Sequence, residues 1–123
     1  MFKHLLTSAV VLMLSLGAFA QEFPAAASTP KKGEIQAHLA DKVFAVALAN
    51  GQTWRLDFKK NGYFFIDTST GFNGKGEWNS EDGKLCSKLT GRDRDFSCAD
   101  ARMHEGVIHI RRADGEIIRY VSK

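Results

Sequence analysis

Seven residue–glycine pairs punctuate the chain: Asn50-Gly51, Asn61-Gly62, Thr70-Gly71, Asp82-Gly83, Thr90-Gly91, Glu105-Gly106 and Asp114-Gly115. Most of the intervals between them are about 8 to 12 residues. That is room for one short strand and a turn, and too little for a helix with two connections. The intervening runs, such as Val43-Phe44-Ala45-Val46 and Thr53-Trp54-Arg55-Leu56-Asp57-Phe58, are rich in β-branched and aromatic residues and alternate in polarity. Seven turns separate eight strands. From Val43 onward the chain therefore reads as all-β, an antiparallel up-and-down meander of about eight short strands.

The register of three hairpins can be read from side-chain pairing. A two-residue turn at Asn50-Gly51 would set Leu56 against Ala45 and leave Phe44 facing Asp57. A three-residue loop with its glycine in the left-handed conformation sets Val46 opposite Trp54 and Phe44 opposite Leu56. The same loop type, Lys60-Asn61-Gly62, places Phe58 opposite Phe64 and Leu56 opposite Ile66. Around Asp114-Gly115 it places Ile110 opposite Ile118, Ile108 opposite Tyr120 and Arg112 opposite Glu116. A one-residue slip would turn each apolar set to the wrong face, so this loop type is expected at all three.

The inner face that results carries Phe44, Val46, Leu48, Trp54, Leu56 and Phe58 from the first hairpin. Phe64, Ile66, Trp78, Leu85, Leu89, Ile108, Ile110, Ile118 and Tyr120 complete it. A single apolar face on sequential antiparallel strands is buried most fully by closure, which also removes exposed edges. A small closed barrel is expected, with a flattened two-sheet sandwich as the alternative. Ile35, His38 and Leu39 recur at helical spacing, which predicts one short helix from about Lys32 to Asp41 covering one barrel end. Gly74 and Gly76 share the parity of Trp78. They either let the strand bend or leave a small pocket above the indole.

The N-terminus has a single positive charge at Lys3, an apolar stretch from Leu5 to Phe19, and Ala18-Phe19-Ala20 before Gln21. This is the pattern of a secretory signal peptide over residues 1–20, removed after Ala20. The apolar stretch is shorter than a membrane span requires, so no transmembrane segment is expected after cleavage. Residues 21–32, QEFPAAASTPKK, show no periodicity and read as a flexible leader before a single domain over residues 33–123. Export to the periplasm or beyond brings an oxidising compartment. There, Cys86 and Cys98, the only two cysteines, read as a structural disulfide. No CxxC spacing supports the competing redox or metal reading. Seventeen basic residues stand against 14 acidic ones, with the signs interspersed. That balance carries no nucleic-acid or membrane footprint.

No nucleophile elbow, phosphate-binding loop or metalloprotease motif is present, and no cofactor or metal set is spelled out. A non-enzymatic protein is therefore expected. His38 reads as a half-buried packing residue beside Leu39. His104, in the turn Met103-His104-Glu105-Gly106, does not make a metal site with one methionine. His109 is expected to point outward across from Arg119, with Arg111, on a solvated sheet face. The run Gly91-Arg92-Asp93-Arg94-Asp95 is either a self-neutralising hairpin tip or a recognition loop. The aromatic residues are the strongest functional pointer. Trp54, Phe58, Phe64, Trp78 and Tyr120, with Gly74 and Gly76, either fill the barrel or line an apolar cavity suited to a small hydrophobic ligand.

The segments EIQAHLADKVF, GQTWRLDFKKNG and GKGEWNSEDGKLC, with Cys98 after them, resemble a family of small uncharacterised proteobacterial secreted proteins. The likeness runs over roughly Glu34 to Tyr120. It implies the helix-then-meander architecture and no particular reaction. The meander is also similar, more distantly, to lipocalin-like barrels, although no G-x-W motif precedes the first strand. Taken together, the expected product is an exported binding module for a small apolar ligand or a protein partner. The alternative is a periplasmic inhibitor or immunity-type factor that acts on an enzyme through exposed loops.

Overall fold

The computed structural model describes residues 21–123. The signal-peptide reading of residues 1–20 lies outside the described residues. One helix, α1 (Lys32–Leu39), precedes eight strands: β1 (Lys42–Ala47), β2 (Thr53–Phe58), β3 (Tyr63–Thr68), β4 (Asn73–Glu81), β5 (Lys84–Leu89), β6 (Ser97–His104), β7 (Val107–Arg111) and β8 (Ile117–Ser122). Each strand pairs antiparallel with the next, and β1 pairs with β8 through Phe44–Ser122 and Ala45–Val121. The sheet closes into a barrel, which rules out the flattened sandwich.

All three hairpin registers are as the apolar pairing requires: Val46 opposite Trp54, Phe58 opposite Phe64 and Ile110 opposite Ile118. At Asn50-Gly51, the Leu48 N–H donates to the Gln52 carbonyl at 2.8 Å and the Gly51 N–H to the Leu48 carbonyl at 3.1 Å. The Lys59–Tyr63 and Arg112–Glu116 loops repeat this pair of bonds, and a fourth hairpin, Thr68–Phe72, also adopts it. The closing glycines Gly51, Gly62, Gly71 and Gly115 have φ between 89° and 94°. A side chain there would clash with the backbone, which is why glycine recurs at this position.

The expected inner face is buried at every position except Trp54, which sits half-buried at one end of the barrel beneath the Arg112 guanidinium. Ala101 joins it, and Ile35 and Leu39 of α1, both fully buried, close the opposite end. An eight-residue helix is unstable alone, so its contacts must hold it. Asp82, in the β4–β5 turn, accepts the Lys32 N–H at 2.9 Å, and the Ser80 hydroxyl donates to the Lys32 carbonyl at 2.9 Å.

His38 stacks on Phe44 with ring centroids 5.8 Å apart. Burial, and then the charge of Lys42, hold its pKa below the ordinary histidine value. The unfolded chain then binds the proton more readily than the folded one. The neutral ring's contribution is complete above about pH 6.5 and is lost as pH falls through the lowered folded value. The stability advantage of the wild type over His38→Gln is expected to shrink between about pH 7.5 and about pH 5.5, read from urea midpoints.

One expectation, for His109, is corrected, and residues 21–31 lie against the barrel. Ser28 bridges Met103 with backbone bonds of 2.8 and 2.9 Å, the Pro30 carbonyl accepts the Gly83 N–H at 2.8 Å, and the Gln21 side chain accepts the Ile117 N–H at 2.9 Å. The Phe23 ring lies against two guanidinium groups, with centroid distances of 5.2 Å to Arg102 and 4.6 Å to Arg111. These are isolated contacts along an extended segment, and they leave no periodic pattern in the sequence. His109 does lie across from Arg119, facing away from the core, yet it is only 7% exposed. Its β6 partner Arg102 and its near neighbour Arg111 lie against Phe23, and the His104 ring packs edge-on with its centroid 6.1 Å away, so the face is covered around His109 while Arg119 stays exposed.

Candidate functional site: the loop-end cavity

The aromatic interior is filled in its helix-side half and open in its other half. Phe58 is the centre of the filled part, with ring centroids 6.0 Å from Phe44, 6.0 Å from Phe64, 5.3 Å from Trp78 and 5.9 Å from Tyr120. Above this cluster, toward loops 49–51, 69–71, 90–96 and 113–115, lies a cavity of about 440 Å³. Phe58, Phe64 and Tyr120 form its floor and Leu56, Ile66 and Leu89 its wall. Such a volume is in the range of small-molecule sites.

The rim follows from strand parity. Continuing the inward-facing positions along each strand leads from Trp54 to Gln52, from Ile66 to Thr68, from Leu85 to Ser87 and from Ile110 to Arg112. All four of these polar residues line the cavity. Apolar side chains thus occupy the depth of the barrel and a polar collar its mouth. Arg92 enters the collar from loop 90–96, and Phe72, 49% exposed, stands at its edge.

The barrel wall has a seam beside this cavity. In β6, Ser97–Asp100 pair only with β5, whereas Ala101–His104 pair with β7. A second void of about 470 Å³ sits at the seam and shares Trp54, Leu85, Ser87, Arg92, Arg112 and Tyr120 with the first. Across it, Arg111 Nη1 lies 3.7 Å from Asp100 Oδ2. The Cys86–Cys98 disulfide joins β5 to the β6 segment that lacks its second neighbour.

Of the residues singled out in the sequence, the structure brings Trp54, Phe58, Phe64 and Tyr120 to the cavity. Gly74, Gly76 and Trp78 are elsewhere. Trp78 is 4% exposed at the helix-side end, and its indole N–H donates to the Lys59 carbonyl at 3.0 Å. The glycines make room for the protein's own rings. A Cβ at Gly76 would meet the Phe64 ring and the Lys88 carbonyl, and one at Gly74 would come within 3.0 Å of the Phe72 ring. Gly76→Ala is expected to cost about 2 kcal/mol, because the opposing backbone cannot retreat. Urea unfolding measures this, and a neutral result would show that the strands separate freely there.

In the Arg92–Asp95 run the charges are not equivalent. Asp93 takes two bonds from Arg92, at 2.9 and 3.1 Å, and accepts the Leu89 N–H at 2.8 Å. The Arg92 bonds first, and the Leu89 bond next, hold the Asp93 pKa below the ordinary carboxylate value. Arg94 and Asp95 remain exposed. Arg112, Gln52, Thr68, Ser87 and Phe72 were not anticipated as cavity residues. For Arg112, Gln52 and Thr68, parity carried beyond the last apolar residue is the signal that finds them, and for Ser87 it is its place between the inward Leu85 and Leu89.

Among the described residues, the one group of possible metal ligands is Glu81 with Cys86 and Cys98, whose sulfurs are joined to each other. No helix among the described residues is long and apolar enough to cross a membrane. No family model, curated protein or solved structure matches the chain. The eight-stranded barrel is what the structure shows of the architecture expected from the resemblance.

Proposed function

We propose that this chain is an exported, non-enzymatic binding module that takes a small apolar ligand into the loop-end cavity of its barrel. The observation that carries the reading is the cavity itself: an aromatic and aliphatic floor under a polar collar, open toward solvent. Burial of a ligand's apolar surface against such a floor supplies roughly 25 cal/mol per Å² before the cost of association is subtracted. Among the described residues that line this cavity there is no carboxylate, histidine or thiol, which favours binding over acid–base or nucleophilic chemistry. The disulfide and the N-terminal signal pattern support function in an oxidising, periplasmic or extracellular compartment.

Titration with N-phenyl-1-naphthylamine, a neutral dye that brightens in apolar surroundings, tests this reading. Saturable binding of one dye per chain is expected. The absence of saturable binding by the folded protein would overturn it.

A second reading, an inhibitor or immunity-type factor, draws support from loop 90–96. Its base is fixed by Asp93, while Arg94, Asp95 and the 41% exposed Phe96 remain outward. Capture of a partner from a periplasmic extract, abolished by Arg92→Ala with Arg94→Ala, is the outcome that reading requires.

A further inference from the structure

We propose that the ligand of the loop-end cavity is an anionic amphiphile, its apolar chain on the Phe58–Phe64–Tyr120 floor and its carboxylate or phosphate head at Arg112 and Arg92. This rests on the apolar-ligand reading above and adds the chemistry of the head group.

Two guanidinium groups reach the cavity, Arg112 with a side chain 31% exposed and Arg92, on the loop, with one 70% exposed. Both line the loop-end cavity and the seam void. Both are held by carboxylates that do not line the loop-end cavity. Arg112 Nη1 bonds Glu116 Oε2 at 2.8 Å and Asp114 Oδ2 at 3.4 Å, and these two acids line a separate surface recess with Ala49 and Asn50. Glu116 is itself fixed by the Ala49 N–H, which donates to its other oxygen at 2.7 Å. Arg92 is fixed by its two bonds to Asp93.

Neither arginine has all its donors engaged. A guanidinium carries five N–H groups. Arg112 uses only Nη1 in hydrogen bonds to described residues, which leaves Nε and Nη2 for a ligand. Its plane lies over the Trp54 ring, 5.1 Å from the centroid, so the group is oriented before any ligand arrives. Orientation of this kind reduces the entropy lost on binding and suits planar, bidentate recognition of an oxyanion.

A third polar group faces the same space. Tyr120 is 7% exposed and lines both voids, and its hydroxyl makes no hydrogen bond to a described residue. A hydroxyl that opens onto the cavity can take a polar ligand atom or a bridging water as its partner. Burial raises the Tyr120 pKa and the Arg112 charge opposes the rise, which places that charge within electrostatic reach of the hydroxyl. The hydroxyl therefore stays a neutral donor.

The magnitude is limited by the carboxylates behind the guanidinium groups. They screen part of the positive charge, so the head should add about a tenfold preference, near the lower limit for a charge-assisted hydrogen bond. The test is displacement of N-phenyl-1-naphthylamine by decanoate, decyl phosphate and decan-1-ol, which share a chain and differ in head. The expected result is that at least one anion displaces the dye about tenfold more tightly than the alcohol. That ratio should fall toward one in Arg112→Gln and, independently, in Arg92→Gln. The stronger anion identifies the head as carboxylate or phosphate. Equal displacement by all three compounds would overturn this inference and leave the apolar-ligand reading intact. Displacement by none of them, with no dye binding, would overturn both.

Discussion

Phe58→Ala is expected to cost the barrel about 4 kcal/mol, the largest effect of any single truncation in the aromatic cluster. Phe58 is 2% exposed and meets four other rings, from Phe44, Phe64, Trp78 and Tyr120. Truncation removes the transfer free energy of the ring and leaves a cavity that the closed sheet cannot collapse to fill. Together these usually amount to roughly 3–5 kcal/mol for phenylalanine. The new space would also join the cavity above, because Phe58 is part of its floor. Phe58→Leu keeps much of the volume and should remain folded at a smaller cost, of roughly 1–2 kcal/mol. Urea unfolding gives both numbers. A loss below about 1 kcal/mol for the alanine variant would mean that the lower half of the barrel is not packed as described.

Replacing both cysteines by alanine is expected to cost about 3 kcal/mol, with the damage concentrated in β6. The cross-link spans 12 residues of sequence separation, and closing a loop of that size lowers the entropy of the unfolded chain by roughly this amount. The folded state adds a local reason. Ser97–Asp100 have a strand partner on one side only, and Cys98 lies within that segment, tied to Cys86. Without the bridge, amide hydrogen exchange should accelerate most in residues 97–100 and least in the helix-side half of the barrel. Uniform acceleration would show that the disulfide acts on the unfolded chain alone and has no particular role at the seam.

The strand meander was legible because two periodicities agree. Glycine at the third loop position fixes the turn, and the two-residue alternation fixes which side chains meet across it. At Leu56 only one register keeps the residue with apolar neighbours on both sides, Phe44 and Ile66. The disulfide was legible from parity and compartment. The path of residues 21–31 was not, since it depends on single contacts such as Ser28 with Met103 and Phe23 with Arg111, which no local pattern encodes. For the same reason the burial of His109 was missed.

The candidate site was half legible. The floor residues Phe58, Phe64 and Tyr120 follow from alternation, but alternation does not tell how far up the barrel the rings reach. Gly74 and Gly76 suggested space near Trp78. The space exists, and it is taken by Phe72 and Phe64. Gln52, Thr68 and Arg112 of the collar were hidden by treating each strand as ending at its last apolar residue. Arg112, two positions after Ile110, faces inward because parity does not stop where hydrophobicity does.

The two tryptophans provide the decisive measurement, since Trp54 stands at the cavity mouth and Trp78 at the helix-side end. Titration of Trp78→Phe and Trp54→Phe with a bromine-labelled decanoate, which quenches indole emission only on close approach, reads the two ends separately. If the ligand occupies the loop-end cavity, Trp54 emission is quenched saturably at one ligand per chain while Trp78 emission is unchanged. Quenching of Trp78 with Trp54 unaffected, or no saturable quenching of either, would contradict the account.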